Sequence, residues 1–143
     1  LQKQWLFDTI KQEAQTGCLQ GYPLVGVEFK LDAVDLFGAE SNEPALREAA
    51  ARATRHALQA ADPHLLTPIM HIEIEVPAEN VGTVMGDLQS RGGLITGTNA
   101  DELSTQIVGE CAMEKLFGYV NDLRSFTKGR GTFTLRFSRL DRV

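Results

Sequence analysis

Phe117-Gly118-Tyr119-Val120-Asn121-Asp122-Leu123-Arg124-Ser125-Phe126-Thr127-Lys128-Gly129-Arg130-Gly131-Thr132-Phe133 carries the two periodicities on which the fold turns. Leu116, Val120 and Leu123 recur at i, i+4 and i+7, the apolar stripe of an amphipathic helix. Lys128-Gly129-Arg130-Gly131 ends that helix, with basic residues in its last turn and glycine just past it. Phe133, Leu135 and Phe137 then alternate with Thr134 and Arg136, the period-two mark of a half-buried strand.

Working upstream, the same two periods alternate again. Met70, Ile72, Ile74 and Val76 alternate with His71, Glu73 and Glu75, a strand with one wet face. Pro77-Ala78-Glu79 opens a helix, with proline early and an acid in the first turn. Val81, Val84, Met85 and Leu88 supply its apolar face, and Gly92-Gly93 stops it. Leu94–Thr98 reads as a short strand, Asn99–Glu102 as a turn, and Thr105–Met113 as the next strand. The order over residues 68–143 is βαββαβ, the ferredoxin-like arrangement, with a four-stranded antiparallel sheet and both helices on one face. That topology decides no function by itself. An RNA-recognition module would need aromatic residues on its central strands, and the first strand here presents His71, Glu73 and Glu75. A freestanding small-molecule-binding regulatory module remains open on pattern alone.

Residues 1–67 read as a less complete unit. Trp5, Leu6, Thr9, Ile10 and Ala14 share one helical face, and Gly17 ends the helix. Val25, Val27, Phe29 and Leu31 alternate, predicting an inward-facing strand over 24–31. Asp32–Glu43 is a long connection. Pro44 suits the first turn of a second helix running to about Ala61, with Ser41, Asn42 or Glu43 as its cap. Ala49, Ala50, Ala53, Ala57 and Ala60 give that helix a flat face suited to a sheet. One strand leaves its backbone donors and acceptors unpaired, so this half needs partner strands. Free edges on the 24–31 strand imply strand-mediated self-association of the chain.

Bulk properties narrow the class. The chain has 143 residues, 43% hydrophobic and 23% charged, enough for one ordinary domain or two small ones. No run of about 18 apolar residues occurs, which argues against a membrane partner. The start at Leu1 reads as a cut or poorly ordered boundary. Cys18 and Cys111 fit reduced thiols of a cytoplasmic protein. His56, His64 and His71 show no metal-ligand spacing, and no nucleophile–base pair is legible. Net charge is −5, yet from Arg124 to Val143 six bases stand against one acid. Distribution matters more than the total for a nucleic-acid partner.

Leu123-Arg124-Ser125-Phe126-Thr127-Lys128-Gly129-Arg130-Gly131-Thr132-Phe133 closely resembles the C-terminal signature of elongation factor G and related ribosomal translocation GTPases. Leu66-Thr67-Pro68-Ile69-Met70-His71-Ile72-Glu73 resembles the start of that family's last domain, and Gly86-Asp87-Leu88-Gln89-Ser90-Arg91-Gly92-Gly93 a motif within it. Gly21-Tyr22-Pro23-Leu24-Val25-Gly26-Val27 is similar to an upstream family motif. Four motifs in order cover nearly the whole chain. The resemblance implies an α+β chain. Residues 1–67 would be the C-terminal portion of the fourth domain, an incomplete ribosomal-protein-S5-like α/β lobe, and residues 68–143 the fifth domain. It implies the ribosome as partner, through rRNA near the GTPase-associated centre and stalk base, and tRNA at the decoding site. The task would be translocation, or a paralogous one such as recycling or ribosomal protection. GTP with magnesium would belong to a domain further upstream. No Gly-x-x-x-x-Gly-Lys-[Ser/Thr] loop occurs here, so this chain alone is expected neither to bind nor to hydrolyse GTP.

Carried onto this sequence, the resemblance makes Arg91, Arg124, Ser125, Lys128, Gly129 and Arg130 candidate rRNA contacts. Glycines flanking Arg130 would let the backbone approach a phosphate. Asp35, Leu36, Phe37, Gly38, Glu40, Ser41, Asn42 and Glu43 align with the family's decoding-site tip loop. Phe37 stands where the family has its tip histidine and Gly38 where it has an acid, which points to a diverged paralogue.

Overall fold

The computed structural model describes residues 1–142. The chain falls into two compact units, Leu1–Leu65 and Leu66–Val143. The first holds α1 (Gln2–Thr16) and α2 (Glu43–Ala60). The second holds β1 (Thr67–Val76), α3 (Val81–Ser90), β2 (Leu94–Ala100), β3 (Thr105–Ala112), α4 (Tyr119–Thr127) and β4 (Thr132–Asp141).

In the first unit, α1 and α2 pack through Leu6, Leu46 and Ala50, with Trp5 against them. Two buried threonines turn their hydroxyls back onto the helix: Thr9 Oγ1 donates to the Trp5 carbonyl at 2.8 Å and Thr54 Oγ1 to the Ala50 carbonyl at 2.7 Å. This satisfies a polar atom that would otherwise be buried bare. The Arg55 guanidinium grips both carboxylate oxygens of Glu13 at 2.9 Å, tying the helices at their rim. Gly17 ends α1 at φ 63°, and a Cβ there would lie 2.0 Å from the Tyr22 carbonyl oxygen. The chain must be glycine at that point to double back.

Two expectations for this unit are corrected. Residues 24–31 form no strand; Val25, Val27 and Leu31 are 52%, 48% and 40% exposed. An alternating pattern becomes a strand only where a neighbour completes the ladder, and residues 1–65 contain no strand at all. The alanine face of α2 is also rotated from the expected one. Leu46, Ala50, Ala51, Thr54 and Leu58 are buried, while Ala49, Ala53, Ala57 and Ala60 are exposed. Ala49, Ala53 and Ala57 instead line an open apolar groove of about 360 Å³ with Leu6, Phe29 and Leu31.

The second unit is the βαββαβ fold. Its antiparallel sheet runs β2-β3-β1-β4, placing the first and third strands at the centre. Ile72, Ile74 and Ile107 of the sheet share one core with Val84 and Leu88 of α3 and Tyr119 and Leu123 of α4. Both helices therefore cover the same face. The register between β1 and β4 slips once. Met70 faces Phe137, but Ile69 faces Arg139, leaving Ser138 without a partner residue on β1.

Details of this unit also depart from the sequence pattern. Leu116 is buried but lies in a 3₁₀ turn, Met113–Leu116, and Gly118 at φ 76° separates it from α4. The interruption shifts the helical phase, so Tyr119 and Leu123 are buried and Val120 is 40% exposed. On β4, Phe133 is half-buried and meets the Tyr119 ring edge-on at 5.3 Å. Leu135 and Phe137 are 40% and 60% exposed, because β4 is an edge strand that the two helices cover only at one end. Asn99 and Ala100 belong to β2, and the turn is Asp101–Ser104, closed by the Asp101 N–H donating to the Ser104 carbonyl at 2.8 Å.

Candidate nucleic-acid interface

The basic end of α4 is held by a buried threonine. Thr127 is fully buried; its hydroxyl donates to the Leu123 carbonyl at 2.7 Å and accepts the Gly131 N–H at 2.8 Å. Asn80 Nδ2 adds a bond to the Phe126 carbonyl at 2.8 Å. Lys128 and Gly129 both adopt the left-handed conformation, at φ 53° and 80°. The Gly129 N–H returns to the Arg124 carbonyl at 2.9 Å, and the Arg130 N–H to that of Thr127 at 3.1 Å. The carbonyls of Arg124 and Thr127 are thus satisfied by backbone and that of Phe126 by a side chain.

The two glycines differ. Gly129 has nothing near its Cβ direction and is used for its positive φ. A Cβ on Gly131 would lie 2.9 Å from Thr127 Cγ2 and 3.2 Å from Leu123 Cδ1. Gly131 therefore serves internal packing, not close approach to a phosphate.

Among the candidate cations, Arg124 and Lys128 are exposed and meet no acid within ion-pair distance among the described residues. Ser125 is exposed beside them. Arg130 is half-spent: its Nε donates to the Thr127 carbonyl at 3.2 Å and its terminal nitrogen to Glu79. That bond holds the Glu79 carboxyl below the usual range.

Arg91 is committed inside the unit. Its Nε donates to Asp87 at 2.9 Å, one terminal nitrogen to the Lys115 carbonyl at 3.0 Å, and the other to Asp122. Its guanidinium carbon lies 5.1 Å from the centroid of the Tyr119 ring. Burial works to lower the Arg91 pKa, and the bonds from Asp87 and Asp122 more than reverse that, leaving it raised. Beneath it, Cys111 Sγ donates to the Arg91 carbonyl at 3.7 Å, and burial pushes its thiol pKa up. The buried Tyr119 hydroxyl has no partner among the described residues, and burial likewise raises its pKa. The geometry makes Arg91 a clamp across α3, the 3₁₀ turn and α4. Sequence showed only one hint of this, Asp87 four residues before it.

The tip loop is built rather than slack. The Phe37 N–H donates to Ser41 Oγ at 2.6 Å, a 3₁₀ turn runs Gly38–Glu40, and Gly38 takes φ 59°. Asn42 is the cap of α2; its Oδ1 accepts the Ala45 N–H at 3.1 Å. Glu43 pairs with Arg47 at 2.8 Å. Ser41, Asn42 and Glu43 thus shape the loop, while Asp35, Leu36, Phe37 and Glu40 face outward.

On the sheet surface, Arg139 bridges Glu110 at 2.6 Å and Asp141 at 3.2 Å, and Ser138 donates to Glu110 at 3.0 Å. The Arg139 bond, then that of Ser138, holds the Glu110 carboxyl below its usual value. A depressed folded pKa means the stabilisation is present at neutral pH and is lost as pH falls below about 4.3, the ordinary glutamate value. Urea unfolding at pH 7 and pH 3 should show a loss at the lower pH that Arg139→Gln reduces. An unchanged pH dependence in that variant would remove the pair from the account.

Among the described residues no cluster of three or more histidine, cysteine or acidic side chains could hold a metal, and no helix is long and apolar enough to cross a membrane. His64 lies 3.2 Å from Asp62 and His71 3.2 Å from Glu73, each within a local pair.

Comparison with known proteins places these features. The family described as "Elongation factor G, domain IV" matches residues 3–62, and "Elongation factor G C-terminus" matches residues 64–143. Elongation factor G of Aquifex pyrophilus is 41% identical over 134 residues, covering 94% of this chain and 19% of that protein. A crystal structure of a Thermus thermophilus protein superposes with a TM-score of 0.78 at 30% identity, over 99% of this chain and 22% of that one. The chain spans about a fifth of the length of these relatives. By its two matched segments, and by the βαββαβ fold that carries the second, this chain belongs to the elongation factor G family.

Proposed function

We propose that this chain is the ribosome-contacting arm of a translational GTPase. Residues 1–67 act as part of its fourth domain and residues 68–143 as its fifth. GTP and magnesium would be held in another part of the protein, which would work in the cytoplasm. The observation that carries the reading is the pair of free cations, Arg124 and Lys128, on a helix end whose Arg124, Phe126 and Thr127 carbonyls already have internal partners. Charges with no internal task at a rigid, exposed end suit phosphate. Arginine offers a planar fork to it and lysine a point charge. Arg130 and the backbone at Gly129 would border the same contact, and Ser125 would add a hydroxyl. Arg91, with its donors engaged, would support the surface rather than touch RNA. The tip loop would reach tRNA at the decoding site, and the task would be translocation or a paralogous ribosomal step.

The test uses the full-length protein. Arg124→Gln with Lys128→Gln should leave thermal stability almost unchanged. Ribosome affinity should fall, and its salt slope should become shallower by about one unit per lost contact. Wild-type binding across the salt titration would end the proposal.

A further inference from the structure

The tip loop exposes more apolar surface than a solvated loop requires. Phe37 is 71% exposed, Leu36 52% and Val34 41%, three apolar side chains within four residues. The backbone at Phe37 is held by its N–H bond to Ser41 and by the turn at Gly38–Glu40 that follows. The charges beside them are acidic: Asp35 and Glu40 are exposed, and neither meets a cation within ion-pair distance among the described residues. Such a surface repels bare phosphate. It suits a flat, uncharged partner that carries hydrogen-bond donors at its rim.

We propose that Phe37 is a stacking platform for an unpaired nucleobase, with the Asp35 and Glu40 carboxylates accepting from the amino groups of guanine or cytosine. An aromatic ring stacks on any base, and acidic side chains accept from base amino groups. The loop then reads exposed bases in single-stranded or splayed RNA, not the backbone. This inference rests on the reading that the loop meets RNA.

The experiment is an NMR titration of the 143-residue chain with three probes. They are a short single-stranded oligoribonucleotide containing guanine and cytosine, a fully paired duplex of the same composition, and inorganic phosphate. The Phe37 ring protons should move upfield with the single strand alone, and little changed between low and moderate salt. Phe37→Leu should bind the single strand about tenfold more weakly at this loop, read from the Leu36 and Gly38 signals, while Phe37→Trp retains binding. Dispersed spectra of both variants exclude misfolding as the cause. Unmoved Phe37 signals, or equal response to duplex and single strand, would overturn the proposal. Equal binding by Phe37→Leu would also overturn it, since an apolar pocket on a protein partner needs no aromatic ring. Arg124→Gln with Lys128→Gln should leave the Phe37 shifts intact. Loss of the ribosomal reading with those shifts retained would separate the two claims.

Discussion

Leu88→Asp is expected to unfold residues 66–143 at neutral pH. Leu88 is fully buried on α3, within the core formed by Ile72, Ile74, Ile107 and Leu123. The new carboxylate would have no cation beside it in that core and would lose the packing of an entire side chain. An unpaired buried charge costs several kcal/mol, and large-to-small core changes alone cost about 2–5 kcal/mol. Domains of this size hold about 5–15 kcal/mol in total. Circular dichroism and hydrogen exchange should show loss of the protected amides of β1 and β3, the two central strands. Leu88→Met, a near-isosteric change, should cost less than about 1.5 kcal/mol. A folded Leu88→Asp sheet would show that the core tolerates what its burial forbids. In the wild-type chain, exchange should be faster in residues 1–65, which form no sheet and have a small core.

Arg91→Ala should destabilise the same unit by about 2–3 kcal/mol. It removes two charge-assisted bonds, a bond to the Lys115 carbonyl and the cation over Tyr119. It also leaves Asp87, with its side chain 18% exposed, without its partner. Bonds to charged groups are worth about 1.5–3 kcal/mol each and a cation–aromatic contact about 0.5–2, but the Asp122 end is half-exposed and counts for little. Arg91→Lys should recover less than half, because a single ammonium cannot reach partners on three sides. Asp122→Asn should cost under about 1 kcal/mol. The midpoint of urea unfolding reads all three. An Arg91→Ala midpoint equal to wild type would make the clamp ornamental and return Arg91 to the free surface cations.

The sheet of the second unit was legible because every strand there finds a neighbour. Alternation in β1, β3 and β4 and the 3.6-residue period of α3 point to the same topology. The identical alternation at Val25–Leu31 gave a wrong strand, since the pattern states which face would be buried and not whether a ladder exists. The start of α4 was misplaced for a local reason: Gly118 breaks the phase that the spacing of Leu116, Val120 and Leu123 suggests. The basic turn was readable as a cluster of residues. Its division into free cations, a half-spent Arg130 and a committed Arg91 was not, because Glu79 and Asp122 lie far from their arginines in sequence. The tip loop was legible as a segment, but which residues shape it and which face outward depended on bonds at Ser41 and Asn42.

The unpartnered Ser138 has a consequence for how this strand tolerates change. Phe133, Leu135 and Phe137 point to the helix side, and strict alternation would send Arg139 there as well. The extra residue reverses the parity of everything beyond it, so Arg139 emerges on the opposite side and meets Glu110. The end of β4 is therefore a counted stretch. A same-length replacement of Ser138 disturbs one hydroxyl, and deleting it restores plain alternation with Arg139 still on the Glu110 side, whereas a one-residue insertion there turns the arginine toward the apolar side and carries Glu110's partner away with it.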